Sequence, residues 1–211
     1  MNPDFAAPVV ATHGPADPAA PLVVLLHGRG SNELDILGLA PHLPAGPEYA
    51  AVRAPIAEGG GYAWFANRGI GRPVATSLRS TLDWFTAWLD SVAPAGRPVL
   101  VIGFSGGAAF AGGLILDRPE RYAAGGILYG TLPFDAGLEI APGRLAEMPV
   151  FVAQGDQDVV IPRELLDRTW AYLTGPSGAR TQAVRLPGGH GISGPALEQL
   201  AGWLTTQIRS A

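Results

Sequence analysis

The sequence predicts an α/β fold in which a mostly parallel central sheet is flanked by helices. Three observations support this prediction: short apolar segments alternate with longer amphipathic ones, the amphipathic segments repeat apolar residues at helical spacing, and the composition is that of a folded domain. Parallel strands are buried on both faces and therefore have nearly continuous apolar sequences, and helices cover the sheet that they form.

Six short segments rich in aliphatic residues are predicted as strands. Turn-forming residues, chiefly Gly and Pro, flank most of them, as expected at strand ends. In chain order, the segments are residues 21–28, 48–55, 97–105, 123–130, 148–156 and 181–189. Their alternation with helical segments predicts a parallel rather than an antiparallel sheet.

Three further segments are predicted as helices. Residues 77–93 and 194–210 repeat apolar residues every three or four positions, which places these residues on one helical face. The apolar positions are Leu78, Leu82, Phe85, Leu89 and Val92 in the first, and Leu197, Leu200, Leu204 and Ile208 in the second. Residues 163–175 begin after Pro162 and end at Gly175, which are helix start and stop signals.

Length and composition predict one domain over residues 1–211. The chain is 47% hydrophobic and 15% charged, enough to bury a core without disulfides or a structural metal. It contains no cysteine, which excludes disulfides and thiolate metal sites. No internal repeat or linker divides it.

Charge and the first 21 residues indicate where the protein works and what it binds. The net charge is −4 and no basic cluster is present, so neither nucleic acid nor an anionic membrane is an expected partner. Residues 1–21 lack a long apolar core and resemble neither a secretory signal nor a membrane anchor. We therefore expect a cytoplasmic protein without integral membrane association that acts on a small molecule. The sequence leaves a homodimer open.

Ser105 lies in "GFSGG", between a predicted strand and a run of small residues. This is the G-x-S-x-G pattern of a nucleophile elbow, a tight turn that lifts the serine hydroxyl above a sheet. A phosphate-binding loop is one alternative, but the chain has no lysine to serve a Walker motif. Close packing of a helix on a strand is another. The candidate partners of the serine decide between them.

A nucleophilic serine needs a base, and the base needs an acid that holds its tautomer. In α/β-hydrolases these groups follow the serine in the order acid, then histidine, each after a strand. His190 follows the last predicted strand, whereas the other three histidines precede Ser105. Those three are His13, His27 and His42.

Asp156 and Asp158 both follow the strand that precedes the histidine. Asp158 lies further out on the loop and can reach a histidine, while Asp156 is better placed to bond the turn backbone. Their D-x-D spacing also allows a divalent metal site, but no further acidic residue or histidine lies close by in the sequence. We therefore favour Asp158 as the acid.

Chemistry at a serine also needs two donors for the oxyanion. The segment "HGRG" (27–30) ends an early strand, where α/β-hydrolases supply one backbone N–H, and the other comes from the residue after the nucleophile, Gly106. A dinucleotide site at Gly28 and Gly30 is disfavoured because Glu33 replaces the third glycine.

Taken together, these segments resemble the phospholipase/carboxylesterase family of α/β-hydrolases, the branch that includes the acyl-protein thioesterases, over nearly the whole chain. The matching segments are "LLHGRGSNE", "RAPIAEGGGYAWF", "GFSGGA", "GDQDVVIP" and "GGHGIS", in family order. The resemblance implies an α/β-hydrolase fold without metal or cofactor. It implies Ser105 as nucleophile, Asp158 as acid and His190 as base, with the backbone amides of Arg29 and Gly106 as the oxyanion hole.

Two features bear on the substrate. Trp64 and Phe65 match an aromatic pair near the family's acyl site, and they can equally form a core pair. Gly106 departs from the glutamine that acyl-protein thioesterases usually carry after the serine, which weakens assignment to that subgroup.

The sequence thus predicts a serine carboxylesterase that hydrolyses short to medium acyl esters through an acyl-serine intermediate. Acyl thioesterase and lysophospholipase activities are alternatives, and a non-catalytic small-molecule receptor on a hydrolase fold is an alternative of another class. Residues 131–147, after the fourth predicted strand, are too few for a lid domain.

Overall fold

The computed structural model describes residues 5–210 and contains a seven-stranded sheet and a two-stranded one. The strands are β1 (Val10–His13), β2 (Leu22–Leu26), β3 (Glu48–Val52), β4 (Ile56–Glu58), β5 (Gly61–Ala63), β6 (Val99–Phe104), β7 (Ala124–Leu128), β8 (Pro149–Gly155) and β9 (Arg180–Leu186). The large sheet has the order β1-β3-β2-β6-β7-β8-β9. The ends of the predicted domain, residues 1–4 and 211, lie outside the described residues, as does the start of the leader segment 1–21.

Helices cover both faces of the large sheet. They are α1 (Glu33–Leu37), α2 (Ala75–Val92), α3 (Gly106–Asp117), α4 (Arg163–Thr174) and α5 (Gly194–Ser210), with short 3₁₀ turns at Ala40–His42 and Pro119–Arg121. On one face, α2, α3 and α4 pack against alternate residues of the strands, and on the other α1 and α5 do so. The expected α/β-hydrolase fold, a mostly parallel sheet flanked by helices, is confirmed.

All six predicted strands are present and run parallel to one another, but the chain also contains strands that the sequence analysis did not predict. The leader contributes β1, the edge strand that pairs antiparallel with β3, and β4 and β5 form a separate hairpin. These strands have three or four residues each, too few for a recognisable alternation. Pairing with distant segments stabilises β1, so its own sequence carries little signal.

The connection between β7 and β8 bears on access to the sheet. Residues 129–148, all of which are described, form no helix or strand. Leu132, Ala136 and Leu145 are buried, so the connection packs onto the domain rather than forming a cap of its own. Among the helices of residues 5–210, none is long and apolar enough to cross a membrane.

The parallel strands bring the candidate residues to one edge of the sheet. Residues 27–30, the oxyanion segment, follow β2, and Ser105 follows β6. The two aspartates follow β8, and His190 follows β9. Because the carboxyl ends of parallel strands share an edge, segments distant in sequence meet there.

Candidate active site

Ser105 occupies the tight turn between β6 and α3. Its backbone has φ 55° and ψ −116°, a strained conformation for a residue with a side chain. The two outer glycines of the motif, Gly103 and Gly107, permit this turn: a Cβ on Gly103 would collide with the Gly107 carbonyl, and one on Gly107 with the Leu26 carbonyl. Glycine at both positions therefore lets helix and strand approach closely enough to present the serine.

The structure brings Ser105, His190 and Asp158 into one hydrogen-bonded chain. His190 Nε2 lies 2.8 Å from Ser105 Oγ, and His190 Nδ1 lies 2.8 Å from Asp158 Oδ2. A carboxylate only accepts hydrogen bonds, so Nδ1 carries the proton that it donates to Asp158, and Nε2 accepts from the serine hydroxyl. This is the tautomer that a general base requires.

Asp158 is held as a carboxylate despite its burial. Its side chain is fully buried, which by itself would raise its pKa. The hydrogen bonds donated by His190 and by the backbone N–H groups of Ile161 and Val160 outweigh burial, and together they lower the pKa below its ordinary value. Asp158 therefore stays charged beside the histidine at neutral pH.

Asp156 has a different environment. Its Oδ1 accepts a hydrogen bond of 3.1 Å from the Gly188 N–H, and its own N–H donates to the Leu186 carbonyl. Asp156 thus joins the loop after β8 to the loop that carries His190, and the hydrogen bond to His190 Nδ1 comes from Asp158 instead. Within residues 5–210, no group of three or more His, Asp or Glu side chains is arranged to hold a metal ion.

The backbone segments of Arg29 and Gly106 lie next to each other. A Cβ on Gly106 would lie 3.1 Å from Arg29 N, so the two backbone segments are in contact. Among the hydrogen bonds of the described residues, neither amide N–H has a protein acceptor. Gly106 is also the first residue of α3, where the N–H groups have no acceptor within the helix. Both donors are available to a negatively charged oxygen.

A cavity of about 620 Å³ lies over these groups. Its wall is largely apolar and includes Ile36, Leu39, Phe65, Ile70, Leu132 and Val160. Ile70 and Val160 line the cavity and are 46% and 44% exposed, so the cavity reaches the surface. An apolar recess with a few convergent polar groups suits the body of a small organic molecule.

The structure separates Trp64 and Phe65, which the sequence analysis related as a pair either to substrate binding or to the core. Phe65 lines the cavity, whereas Trp64 lies beneath it, 2% exposed and stacked on Phe110 with ring centroids 4.5 Å apart. The Trp64 indole N–H donates to the His27 carbonyl. Trp64 is therefore a core residue below the site, and direct contact with a substrate is open to Phe65 alone.

Comparison with known proteins agrees with this fold. A family profile described as Phospholipase/Carboxylesterase matches residues 7–208. The chain belongs to the phospholipase/carboxylesterase family. Membership makes the protein a carboxylic-ester hydrolase.

Individual relatives of this family member are distant in sequence but similar over nearly their full length. It is 26% identical over 191 residues to "Putative hydrolase MhqD" of Bacillus subtilis (strain 168), spanning 89% of this chain and 94% of that protein. The Bacillus cereus carboxylesterase has a TM-score of 0.83 at 23% identity, covering 96% of this chain and 95% of that one. Esterase PE8 has a TM-score of 0.76 at 25% identity, covering 95% and 99%.

His27 supports the oxyanion segment of this carboxylic-ester hydrolase, a role that the sequence analysis did not assign. Its side chain is completely buried, its Nδ1 lies 2.7 Å from the Gly28 carbonyl and its Nε2 accepts from the Ala54 N–H at 3.1 Å. Because Nε2 accepts, the ring is neutral and Nδ1 donates. The sequence feature that could have indicated this role is the position of His27 directly before Gly28, at the end of a buried strand.

We expect His27 to make the fold less stable as the pH falls below about 6.5, the ordinary value for histidine. Burial lowers its pKa in the folded protein, so below that pH the unfolded chain binds a proton that the folded protein does not. The free energy of unfolding then decreases by up to about 1.4 kcal/mol per pH unit until the lowered pKa is reached. Above pH 6.5 both states are neutral and the effect vanishes.

Urea unfolding of wild type, His27→Gln and His42→Gln between pH 7 and pH 5 measures this contribution. The decrease should be smaller in His27→Gln, whatever its stability at pH 7. His42 is exposed and serves as the control, so His42→Gln should match wild type. An equal decrease in wild type and His27→Gln would show that His27 is not the source.

Proposed function

We propose that the protein is a serine carboxylesterase that hydrolyses short to medium acyl esters through an acyl-serine intermediate. The observation that carries the proposal is the pair of 2.8 Å contacts that link Ser105 Oγ to His190 and His190 to Asp158. In this proposal Ser105 is the nucleophile, His190 the general base and acid, and Asp158 the group that orients His190. Residues 1–211 act as a single domain.

In the acylation half-reaction, Ser105 Oγ forms a bond to the ester carbonyl carbon while His190 Nε2 takes the hydroxyl proton. The carbonyl oxygen becomes an oxyanion, which accepts hydrogen bonds from the N–H groups of Arg29 and Gly106. When the carbonyl re-forms, the bond to the alcohol oxygen breaks and His190 gives that oxygen its proton. The alcohol leaves, and the acyl group stays on Ser105.

Deacylation repeats these steps with water. His190 takes a proton from the water as its oxygen attacks the acyl carbon, and the same two N–H groups stabilise the second oxyanion. Collapse breaks the bond to Ser105 Oγ, which recovers its proton from His190, and a carboxylic acid is released. Each oxyanion donor lowers the barrier by about 2.7–4 kcal/mol in comparable sites.

The size and chemistry of the cavity support small or medium esters as substrates. Its volume of about 620 Å³ lies within the range of roughly 300–1,000 Å³ that is typical for small-molecule sites. The apolar wall, including Phe65, would take part of an acyl chain. Thioesters have the same reactive carbonyl, so a thioesterase uses the same residues, and lysophospholipids are a further ester class.

Turnover of a matched substrate panel tests the proposal. Acyl chains of increasing length are presented as oxygen esters, as thioesters and as lysophospholipids, and kcat/KM is compared across the three series. The expected result is the highest value for oxygen esters of short or medium chains. Tight binding of esters without any turnover would instead indicate a non-catalytic receptor.

We also expect ordinary saturation kinetics without activation at a lipid surface. The connection between β7 and β8 forms no helical cap, and the cavity already reaches the surface at Ile70 and Val160. The rate is measured against ester concentration across the solubility limit, and emulsified triglyceride is tested separately. A sharp rise in rate as droplets appear would reveal a mobile cover and contradict this reading.

A further inference from the structure

The backbone of Arg29 lies close to Gly106, and its side chain contacts two other segments. Its Nη1 forms an ion pair with the Glu58 carboxylate at the end of β4. Its Nη2 donates a hydrogen bond of 2.6 Å to the carbonyl of Phe65, whose ring lines the cavity. The guanidinium thus connects the oxyanion segment, the β4–β5 hairpin and the cavity wall.

Backbone hydrogen bonds join the two residues after Arg29 to the β4–β5 hairpin. The Gly30 N–H donates to the Tyr62 carbonyl at 2.9 Å, and the Tyr62 N–H donates to the Ser31 carbonyl at 3.0 Å. Arg29 itself makes no backbone hydrogen bond among those of the described residues. Its orientation therefore depends on its neighbours in the chain and on its own side chain.

The ion pair contributes little to overall stability. The Arg29 and Glu58 side chains are 30% and 45% exposed, and surface pairs of this kind add at most about 1 kcal/mol. An oxyanion donor, by contrast, must point at the developing charge from a distance of about 2.7–3.1 Å, and small displacements are costly. A contact that is weak for folding can therefore be strong for catalysis.

We infer that the Arg29 guanidinium is a positioning group that keeps its own backbone N–H directed at the oxyanion, through Glu58 and the Phe65 carbonyl. The inference rests on the proposed function, since it assigns the Arg29 amide to the oxyanion hole. Arg29 therefore supplies both the N–H donor and the guanidinium that orients it. Glu58 is then a positioning residue that acts through Arg29.

The test compares Arg29→Met, Arg29→Lys and Glu58→Gln with wild type. Arg29→Met keeps an unbranched apolar stem and removes every side-chain donor, while the backbone N–H remains. We expect kcat to fall by about tenfold, which is less than the loss of an oxyanion donor would cause, and KM to change little. Arg29→Lys retains the charge for Glu58 but not the forked geometry and should lie between Arg29→Met and wild type. Glu58→Gln should lower kcat in the same direction.

Arg180→Met is the matched control. Like Arg29, the Arg180 side chain contacts one backbone carbonyl and one carboxylate, both of which belong to Glu147. Arg180 lies on β9 and does not line the cavity. Its kcat should equal that of wild type. All variants are also compared by melting temperature, which should change as little in Arg29→Met as in Arg180→Met.

Binding of a trifluoromethyl ketone separates positioning from a merely structural role. This probe forms a tetrahedral adduct with an active serine and places an oxyanion in the hole, so its affinity should weaken in Arg29→Met by the same factor as kcat/KM. An unchanged kcat and ketone affinity, or a rise in KM alone, would overturn the inference. A wild-type protein that neither hydrolyses esters nor binds the ketone would instead overturn the proposed function.

Discussion

Replacement of Ser105 by alanine should abolish labelling by a fluorophosphonate and lower esterase kcat by roughly 10⁴- to 10⁶-fold. The variant removes the only atom that forms a covalent bond to the substrate, whereas the cavity and both oxyanion donors remain. Labelling is read from the mass of the intact protein, and kcat from release of a chromogenic alcohol. Substrate binding, measured separately, should be nearly unchanged.

Ser193→Ala is the control for this result. Ser193 lies on the same loop as His190, and its hydroxyl accepts a hydrogen bond from the Ala196 N–H rather than contacting Ser105. The Ser193 variant should be labelled once, like wild type. Full activity in Ser105→Ala, or labelling of both variants at another residue, would refute the acyl-serine mechanism.

Replacement of Asp158 by asparagine should lower kcat by about 10⁴-fold, because an amide donor opposite Nδ1 favours the tautomer in which Nε2 carries the proton. Nε2 then cannot accept the proton of Ser105. The substitution preserves the shape of the side chain, so the loss should appear in kcat rather than in KM. An unchanged melting temperature would establish that the variant is folded.

Asp156→Asn provides the comparison within the same loop. Its Oδ1 accepts from the Gly188 N–H, and an asparagine oxygen can accept that hydrogen bond equally well. We therefore expect less than about a tenfold loss of kcat, consistent with the modest value of a single neutral hydrogen bond. If Asp156→Asn were the more impaired of the two, the acid of the mechanism would have to be Asp156.

Much of the fold follows from local patterns. The helical periodicity of residues 77–93 corresponds to α2, and residues 163–175 and 194–210 correspond to α4 and α5 within two residues at each end. Val92 was placed on the buried face, but at the end of α2 it is 39% exposed. A periodic pattern predicts which face is buried and does not show where the neighbouring core ends.

The sequence by itself determined six of the strands, three of the helices and the short motifs that carry Ser105, the two aspartates and His190, because each depends on residues close together in the chain. Only the tertiary structure decided which aspartate contacts His190, which aromatic residue of the Trp64–Phe65 pair lines the cavity, and what the Arg29 side chain binds. Each of these depends on contacts between distant segments: His190 and Asp158 are 32 residues apart, and Arg29 and Glu58 are 29 apart. Such contacts form when the strands align in the sheet, and no local pattern specifies them.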